Sequence, residues 1–312
     1  MSEPRRCALI AVIGAPNAGK STLVNALVGA KVSIVTHKVQ TTRTRIRGIA
    51  VDGPVQLVFT DTPGIFTPRR SLDRAMVAAA WEGIEGADVV LLAVDAAAAL
   101  AGAPKSVADA ERITAGLKQR GRKAVLALNK IDKCRRPALL RLIAALNAEG
   151  VFEETFLISA ANGDGVADLK RHLLAQARQS AWLFPDDQLS DVSDRFMAAE
   201  ITREKLIRRL HQELPSESTV ETTSWTRTKK GELRIEQVIY VTRDGHRPIV
   251  LGQGGRTLKA IGEAARKELA AIVGEPVHLF LTVSVRPGWT EEKARLREIG
   301  LDAPKDPGRG PT

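Results

Sequence analysis

An apolar run from Cys7 to Ile13 breaks into Gly14-Ala15-Pro16-Asn17-Ala18-Gly19-Lys20-Ser21 and resumes as Thr22-Leu23-Val24-Asn25-Ala26-Leu27. A buried strand, a glycine-rich turn and a helix in this order predict a doubly wound, mostly parallel α/β sheet. They also predict what sits at its edge. Gly14 and Gly19 let the backbone curl until its N–H groups face inward on a polyphosphate, and the helix adds its positive end. Lys20 would reach the terminal phosphates, and the Ser21 hydroxyl would help to hold Mg²⁺. A plain strand-to-helix turn would also use glycines, but it has no need of Lys20-Ser21 at this spacing. The pattern implies a nucleoside triphosphate.

Three further segments supply what such a site still needs. Asp61-Thr62-Pro63-Gly64-Ile65 follows the apolar run Val55 to Phe59. An acid there can orient Mg²⁺, and the Gly64 N–H can sense a γ-phosphate. Asn129-Lys130-Ile131-Asp132 follows Ala124 to Leu128. The two oxygens of Asp132 suit the N1–H and 2-amino donors of guanine, whereas adenine would leave a desolvated carboxylate unpaired. Ser159-Ala160 follows Thr155 to Ile158, and its backbone could hydrogen-bond the guanine O6. Any one of these could be an ordinary strand-end turn. Together, in order, and each at the C-terminal end of a strand, they predict a site for GTP and GDP.

These residues resemble the translation-factor-like GTPases and, more closely, the bacterial Era family. The resemblance covers nearly the whole chain: the four segments, Gln40-Thr41-Thr42-Arg43 as a first switch, and Phe184-Pro185-Asp186-Asp187-Gln188-Leu189 as a linker. It implies GTP hydrolysis, with a switch threonine closing on Mg²⁺. Thr42 aligns better with that role than Thr41, so Ser21, Thr42 and Asp61 form the expected Mg²⁺ set. The family often has histidine after the QTTR segment, where this chain has Thr44. Ile65 stands where Ras-like proteins carry the glutamine that orients water, and it can neither donate nor accept. Some relatives hold K⁺ partly through the loop asparagine, here Asn17; a turn residue with a local hydrogen bond would explain Asn17 equally. Arg43 and Arg45 are rival charge donors, expected in solvent.

The chain has 312 residues, enough for two domains, and 44% of them are hydrophobic. Cys7 and Cys134 cannot make a disulfide framework. The apolar run after Arg5-Arg6 is interrupted at once by the phosphate loop, unlike a signal peptide. The stretch from Val89 to Ala103 contains Asp95 and is short for a bilayer span. A cytoplasmic location is expected, with peripheral contact to the inner membrane left open. Net charge is +10; residues 1–180 carry +9 (25 basic, 16 acidic), residues 181–195 carry −3, and the remainder +4. Such a balance suits nucleic acid or an anionic membrane, although surface charge clusters are commonly only solvated.

Alternating apolar runs and helical stretches organise residues 1–180 as the GTPase domain, including an antiparallel edge strand from Arg45 to Val51. Residues 181–195 read as a linker, 196–290 as a second α+β domain, and 291–312 as a C-terminal helix or turn with a disordered tail. In the second domain the expected order begins with a helix from Phe196 to Leu214. Strands from Thr219 to Arg227 and Leu233 to Thr242 follow, then a short helix to Leu251. Gly252-Gln253-Gly254-Gly255 leads into a helix from Arg256 to Val273 and a strand from Val277 to Val285. This order looks like a type II KH module, whose glycines bring helix N-termini close to a nucleic-acid backbone. Arg256 and Lys259 would pair with phosphates; the central Gln253-Gly254 departs from the basic residue often found there. A lone GxxG is commonly just a helix–helix turn. The family resemblance implies the 3′ end of 16S ribosomal RNA as ligand, maturation of the 30S subunit as role, and a monomer. The alternatives are a membrane-associated signalling switch whose KH module docks a protein, and an RNA-binding GTP sensor with little turnover.

Overall fold

The structure, a computed structural model, describes residues 3–38, 41–210, 214, 216–289 and 301. Gln40, the expected tail and most of residues 290–312 therefore lie outside the described residues. The chain divides into two compact units, one of residues 1–33, 42–191 and 296–312, the other of residues 34–41 and 192–295.

The first unit runs β1 (Arg6–Gly14), α1 (Lys20–Val28), β2 (Ile46–Asp52), β3 (Val55–Asp61), α2 (Ser71–Glu85), β4 (Val89–Asp95), α3 (Ala96–Leu100), α4 (Pro104–Gln119), β5 (Ala124–Asn129), α5 (Arg136–Asn147), β6 (Phe152–Leu157), α6 (Val166–Gln176) and β7 (Arg178–Gln179). Its sheet has the order β2-β3-β1-β4-β5-β6, with β7 paired to the start of β1. From β3 to β6 every pairing is parallel, and only β2 and β7 run antiparallel. Helices cover both faces, so the central strands read as unbroken apolar runs. Leu9 apart, residues 7–14 of β1 are buried, and each large apolar side chain removed from water contributes roughly 1.5–3 kcal/mol.

Local signals set the element ends. Gly29 closes α1 in the left-handed region and donates its N–H to Asn25 O. Asp73 accepts the Arg69 and Arg70 N–H groups at the start of α2, and Pro104 and Pro137 open α4 and α5. The apolar stretch 89–103 is two elements, because Asp95 ends β4 and caps α3 by accepting the Ala98 N–H at 3.0 Å. The segment expected as a linker is partly a strap along the sheet edge. The Gln56 side chain bonds the backbone of Leu183 and Phe184, Ile49 donates to Leu189 O, and Ser190 bridges to Gly48. It occupies backbone groups that an open edge strand would expose.

The second unit comprises α7 (Asp194–Arg209), β8 (Ser218–Arg227), β9 (Leu233–Val241), α8 (His246–Leu251), α9 (Arg256–Val273) and β10 (Val277–Val285). The central β9 pairs antiparallel with β8 and parallel with β10. Alternation along β9 sends Leu233, Ile235, Ile239 and Val241 into the core, against Ile261, Ala265 and Leu269 of α9. The helix expected to reach Leu214 ends at Arg209, where Leu210 turns extended (φ −85°, ψ 152°). No helix among the described residues is long and apolar enough to cross a membrane.

Residues 34–41 belong to this second unit through α7. Val35 N–H donates to Glu204 Oε1 (3.0 Å), Arg208 Nη2 donates to Val35 O (2.9 Å), and Arg203 donates to Thr41 O. Arg203 and Glu204 are buried; Glu200 accepts two further bonds from Arg203, each 2.6 Å.

Candidate functional site

The C-terminal ends of β1, β3, β4 and β5 and the loop after β6 bring the expected segments to one edge of the first sheet. Residues 15–19 turn between β1 and α1. A side chain at Gly19 (φ +91°) would put its Cβ 2.2 Å from Asn129 Nδ2, so only glycine fits. Ala15 and Pro16 are half-buried, Ala18 is buried, and Thr22 follows in the first turn of α1. Lys20 is buried, and its Nζ donates to Gly14 O (3.2 Å) and Ala15 O (2.9 Å). Burial lowers its pKa to about 8, against the opposing pull of Asp61.

Ser21 Oγ donates to Asp61 Oδ2 at 2.7 Å and lies 2.8 Å from Thr42 Oγ1, which is 3.4 Å from the same carboxylate oxygen. Asp61 is wholly buried, and its second oxygen meets no hydrogen-bond partner within bonding geometry among the described residues. Burial raises its pKa, with Ser21 and Lys20 acting against that rise. Two hydroxyls and a buried carboxylate with a spare oxygen are a donor set that suits a hard divalent cation. Thr41 points elsewhere: its hydroxyl meets Thr36 Oγ1 (2.5 Å) and donates to Lys38 O (2.8 Å). Thr62 donates to Val12 O, while Pro63 and Gly64 continue past it toward the phosphate loop, where Gly64 lies against Pro16.

Asn129 braces the edge. Its Nδ2 donates to Ala18 O (2.9 Å), and its Oδ1 accepts from the N–H groups of Lys130 (2.8 Å) and Ala160 (3.0 Å). The Ala160 N–H is thus already engaged, and a guanine O6 would share it. Lys130 (φ +66°) reaches Asp95 Oδ2 (2.5 Å) and Asn17 O (2.7 Å). Asp132 is exposed and accepts from Ser159 Oγ at 2.7 Å. Its carboxylate is therefore desolvated only when a base covers it. In the sequence Asp95 is only a charge interrupting an apolar run. It ends β4 at the same sheet edge as Asp61 and Asp132, and that position is the signal for its part in the site.

Ile65 is fully buried among Ala11, Ile13 and Ala80, and its N–H donates to Gly14 O (3.0 Å). Its side chain serves the core and cannot orient water. Arg43, expected in solvent, is buried (4% exposed), whereas Arg45 is exposed as expected, near Glu82. Asn17 is exposed and in the left-handed region (φ +64°), a conformation that asparagine tolerates well.

In the second unit Gly252 (φ +70°) lies where a Cβ would fall 2.1 Å from Thr257 Oγ1 and 2.9 Å from Thr257 N. Gly254 and Gly255 also have positive φ, but face open space. Gln253 and Gly254 are exposed, and Arg256 donates from its guanidinium to Gln253 O and Oε1. Lys259 is exposed one turn on, and Ile249 is 55% exposed just before the loop.

The two units define a P-loop GTPase carrying a KH domain. The family described as 50S ribosome-binding GTPase matches residues 9–130, and the KH domain family matches residues 213–290. GTPase Era of Dinoroseobacter shibae is 55% identical over 301 residues, covering 96% of this chain and 97% of that protein. GTPase Era of Rhizobium meliloti is 55% identical over 302 residues, covering 97% and 95%. A crystal structure of Era with MgGDPNP and nucleotides 1506–1542 of 16S ribosomal RNA superposes with a TM-score of 0.88 at 35% identity, covering 95% of this chain and 99% of that one. An Aquifex aeolicus Era variant bound to GDP and aluminium fluoride gives the same values. The chain belongs to the Era family of GTPases.

Proposed function

We propose that the chain hydrolyses GTP with Mg²⁺ held through Ser21, Thr42 and Asp61, and binds the 3′ end of 16S ribosomal RNA in its KH domain during maturation of the 30S subunit. The observation that carries the chemistry is the Ser21–Thr42–Asp61 cluster, in which one buried carboxylate oxygen has no hydrogen-bond partner among the described residues. The RNA assignment is supported by the relative whose structure contains both MgGDPNP and 16S ribosomal RNA.

In this reading the phosphate-loop N–H groups and Lys20 bind the β- and γ-phosphates, and Gly64 lies where its N–H can report the γ-phosphate. A bound Mg²⁺ supplies charge neutralisation at the phosphate oxygens. Asp132 accepts from the guanine N1–H and 2-amino group, held in aim by Ser159, while Asn129 and Lys130 tie the base-side loops to the phosphate loop. Because Ile65 is buried, transition-state charge must be met by another group, and we assign it to K⁺ beside Asn17. In the KH domain, the backbone around Gly254 and Gly255 meets RNA phosphates without side-chain obstruction, Arg256 and Lys259 add charge, and Ile249 offers an apolar surface to an unstacked base.

Crosslinking and sequencing of the RNA bound in cells tests the ligand: reads should gather at the 3′ end of 16S ribosomal RNA, and a spread over unrelated RNA would refute that assignment. Phosphate release measured with and without the same RNA tests turnover, and its absence in both would leave only a GTP sensor.

A further inference from the structure

Along the helical side of the second unit, α7 and α9 leave an open groove of about 530 Å³, separate from the GxxG loop. It is lined by Lys205, Arg208, Arg209, Lys267 and Glu268, with Ala264 and Ala271 between them. Glu204 and Glu268 offset two of these four cations, so the excess positive charge of the groove rests on the other two. Two of the cations are fixed. Lys205 Nζ pairs with Glu204 Oε2 (2.7 Å) and with Glu268, and Arg208 is held by Glu204 Oε1 (3.1 Å) and Val35 O (2.9 Å). The other two, Arg209 and Lys267, are exposed and make no hydrogen bond or ion pair among the described residues.

We propose that this groove is a second phosphate-binding subsite, which takes the sugar–phosphate backbone of an RNA strand running on from the GxxG loop. The proposal rests on the RNA-binding reading of the KH domain and adds a separate place of contact to it.

Three observations favour an RNA backbone over a solvated surface. Arginines 208 and 209 in the last turn of α7 suit the helix dipole, but that does not account for Lys267 on the facing helix. Arg209 and Lys267 are offset by no carboxylate among the described residues, so phosphates can meet them without breaking an ion pair. Continuity supplies the third observation, since α9 begins at the GxxG loop and carries Arg256, Lys259 and then Lys267 on its exposed side. From Gly255 to Lys267 is about 18 Å along the helix axis. The arrangement also disfavours a single compact anion. The less exposed positions hold the Lys205–Glu268 pair, with side chains 11% and 25% exposed, so a negative group lies low in the groove. The cations without a partner among the described residues are the exposed ones, and two separate positions on facing helices suit a polyanion better than one compact anion.

The test uses the full chain and two single-stranded RNAs from the bound region, one of about four nucleotides, the span of one KH clamp, and one about three times as long. The Arg209→Gln/Lys267→Gln variant should bind the short strand as wild type does. It should bind the long strand several-fold more weakly and with a log–log salt slope lower by about 1.4, two single-strand contacts at about 0.7 each. Both residues are exposed, so melting temperature and GTP affinity should stay at wild-type values. An unchanged slope for the long strand would overturn the proposal. So would an equal loss for both lengths, which would put these cations at the loop clamp. If the variant keeps the long strand but loses binding to vesicles of anionic phospholipid, the groove serves a membrane and the RNA assignment is wrong. The Gly255→Asp variant separates the two readings: it should abolish binding of both strands, and short-strand binding that survives it counts against the loop, while the long-strand slope of the Arg209→Gln/Lys267→Gln variant reports on the groove.

Discussion

Lys20 and Asp132 show how a site is set by what surrounds one side chain. Burial leaves Lys20 with a pKa of about 8, because two carbonyls replace water less well than phosphate would. In the nucleotide-free fold the protonated form is disfavoured, so between about 8 and 10.5 the unfolded chain holds more protons and stability rises with pH. GTP reverses the preference. Its affinity should be flat below pH 8 and fall above it, with proton uptake in calorimetry in several buffers; a flat affinity up to pH 9 would show that Lys20 does not meet the phosphates. Asp132 lies at the other end of the site. Asp132→Asn turns one acceptor into a donor facing donors and should cost on the order of 1–3 kcal/mol or more in GTP binding, with the melting temperature unchanged because the residue is exposed. Titration with GTP checks it, and an unaltered affinity would remove the base-recognition role.

At the scale of elements, the GxxG loop and the first helix of the second unit make separable predictions. Gly252 and Gly255 look alike in the sequence, but their surroundings differ. A side chain at Gly252 collides with Thr257, whereas at Gly255 it enters open space. Gly252→Asp should therefore lower both melting temperature and RNA binding, and Gly255→Asp should abolish RNA binding at a stability cost of only about 1 kcal/mol for its positive φ. Filter binding and thermal melts of the two variants distinguish these outcomes. On α7, Arg203 is 1% exposed and holds Glu200 and the carbonyl of Thr41. Arg203→Ala leaves a largely buried carboxylate without its partner and should destabilise the chain by about 3–5 kcal/mol in denaturant unfolding. A loss under 1 kcal/mol would show that the pair contributes little.

For the whole molecule the open matter is what meets the charge that Ile65 cannot. Replacing Na⁺ by K⁺ at fixed ionic strength should raise the rate of GTP hydrolysis, and Asn17→Ala should remove the difference, since Asn17 is exposed on the phosphate loop and free to face an ion. Equal rates in both salts, for free and RNA-bound protein alike, would leave Asn17 as a turn residue. Thr42, the proposed Mg²⁺ threonine, follows directly in the chain on residues 34–41, which α7 holds.

Most of the frame is legible in the residue order, because it depends on short-range regularities. Strand runs such as Ala124 to Leu128 are apolar throughout since both faces are covered, and β9 alternates since one face is. The limits of α9 coincide with its glycines, as Gly255 and Gly274 both take left-handed conformations that end regular structure. The four nucleotide segments are legible for the same reason: each needs particular residues at consecutive positions. Burial and long-range pairing are not. Nothing near Arg43 announces that it is buried, and nothing near Leu210 announces the end of α7. The strap from Leu183 to Ser190 exists because Gln56, over a hundred residues earlier, bonds its backbone. Asp95, the anchoring of residues 34–41 and the groove between α7 and α9 likewise depend on side chains far apart in the chain. By itself the sequence determined most of the secondary structure and the order of the motifs, which are local. Only the tertiary structure decided which charges are buried and which partners they find, because desolvation depends on everything packed around a group.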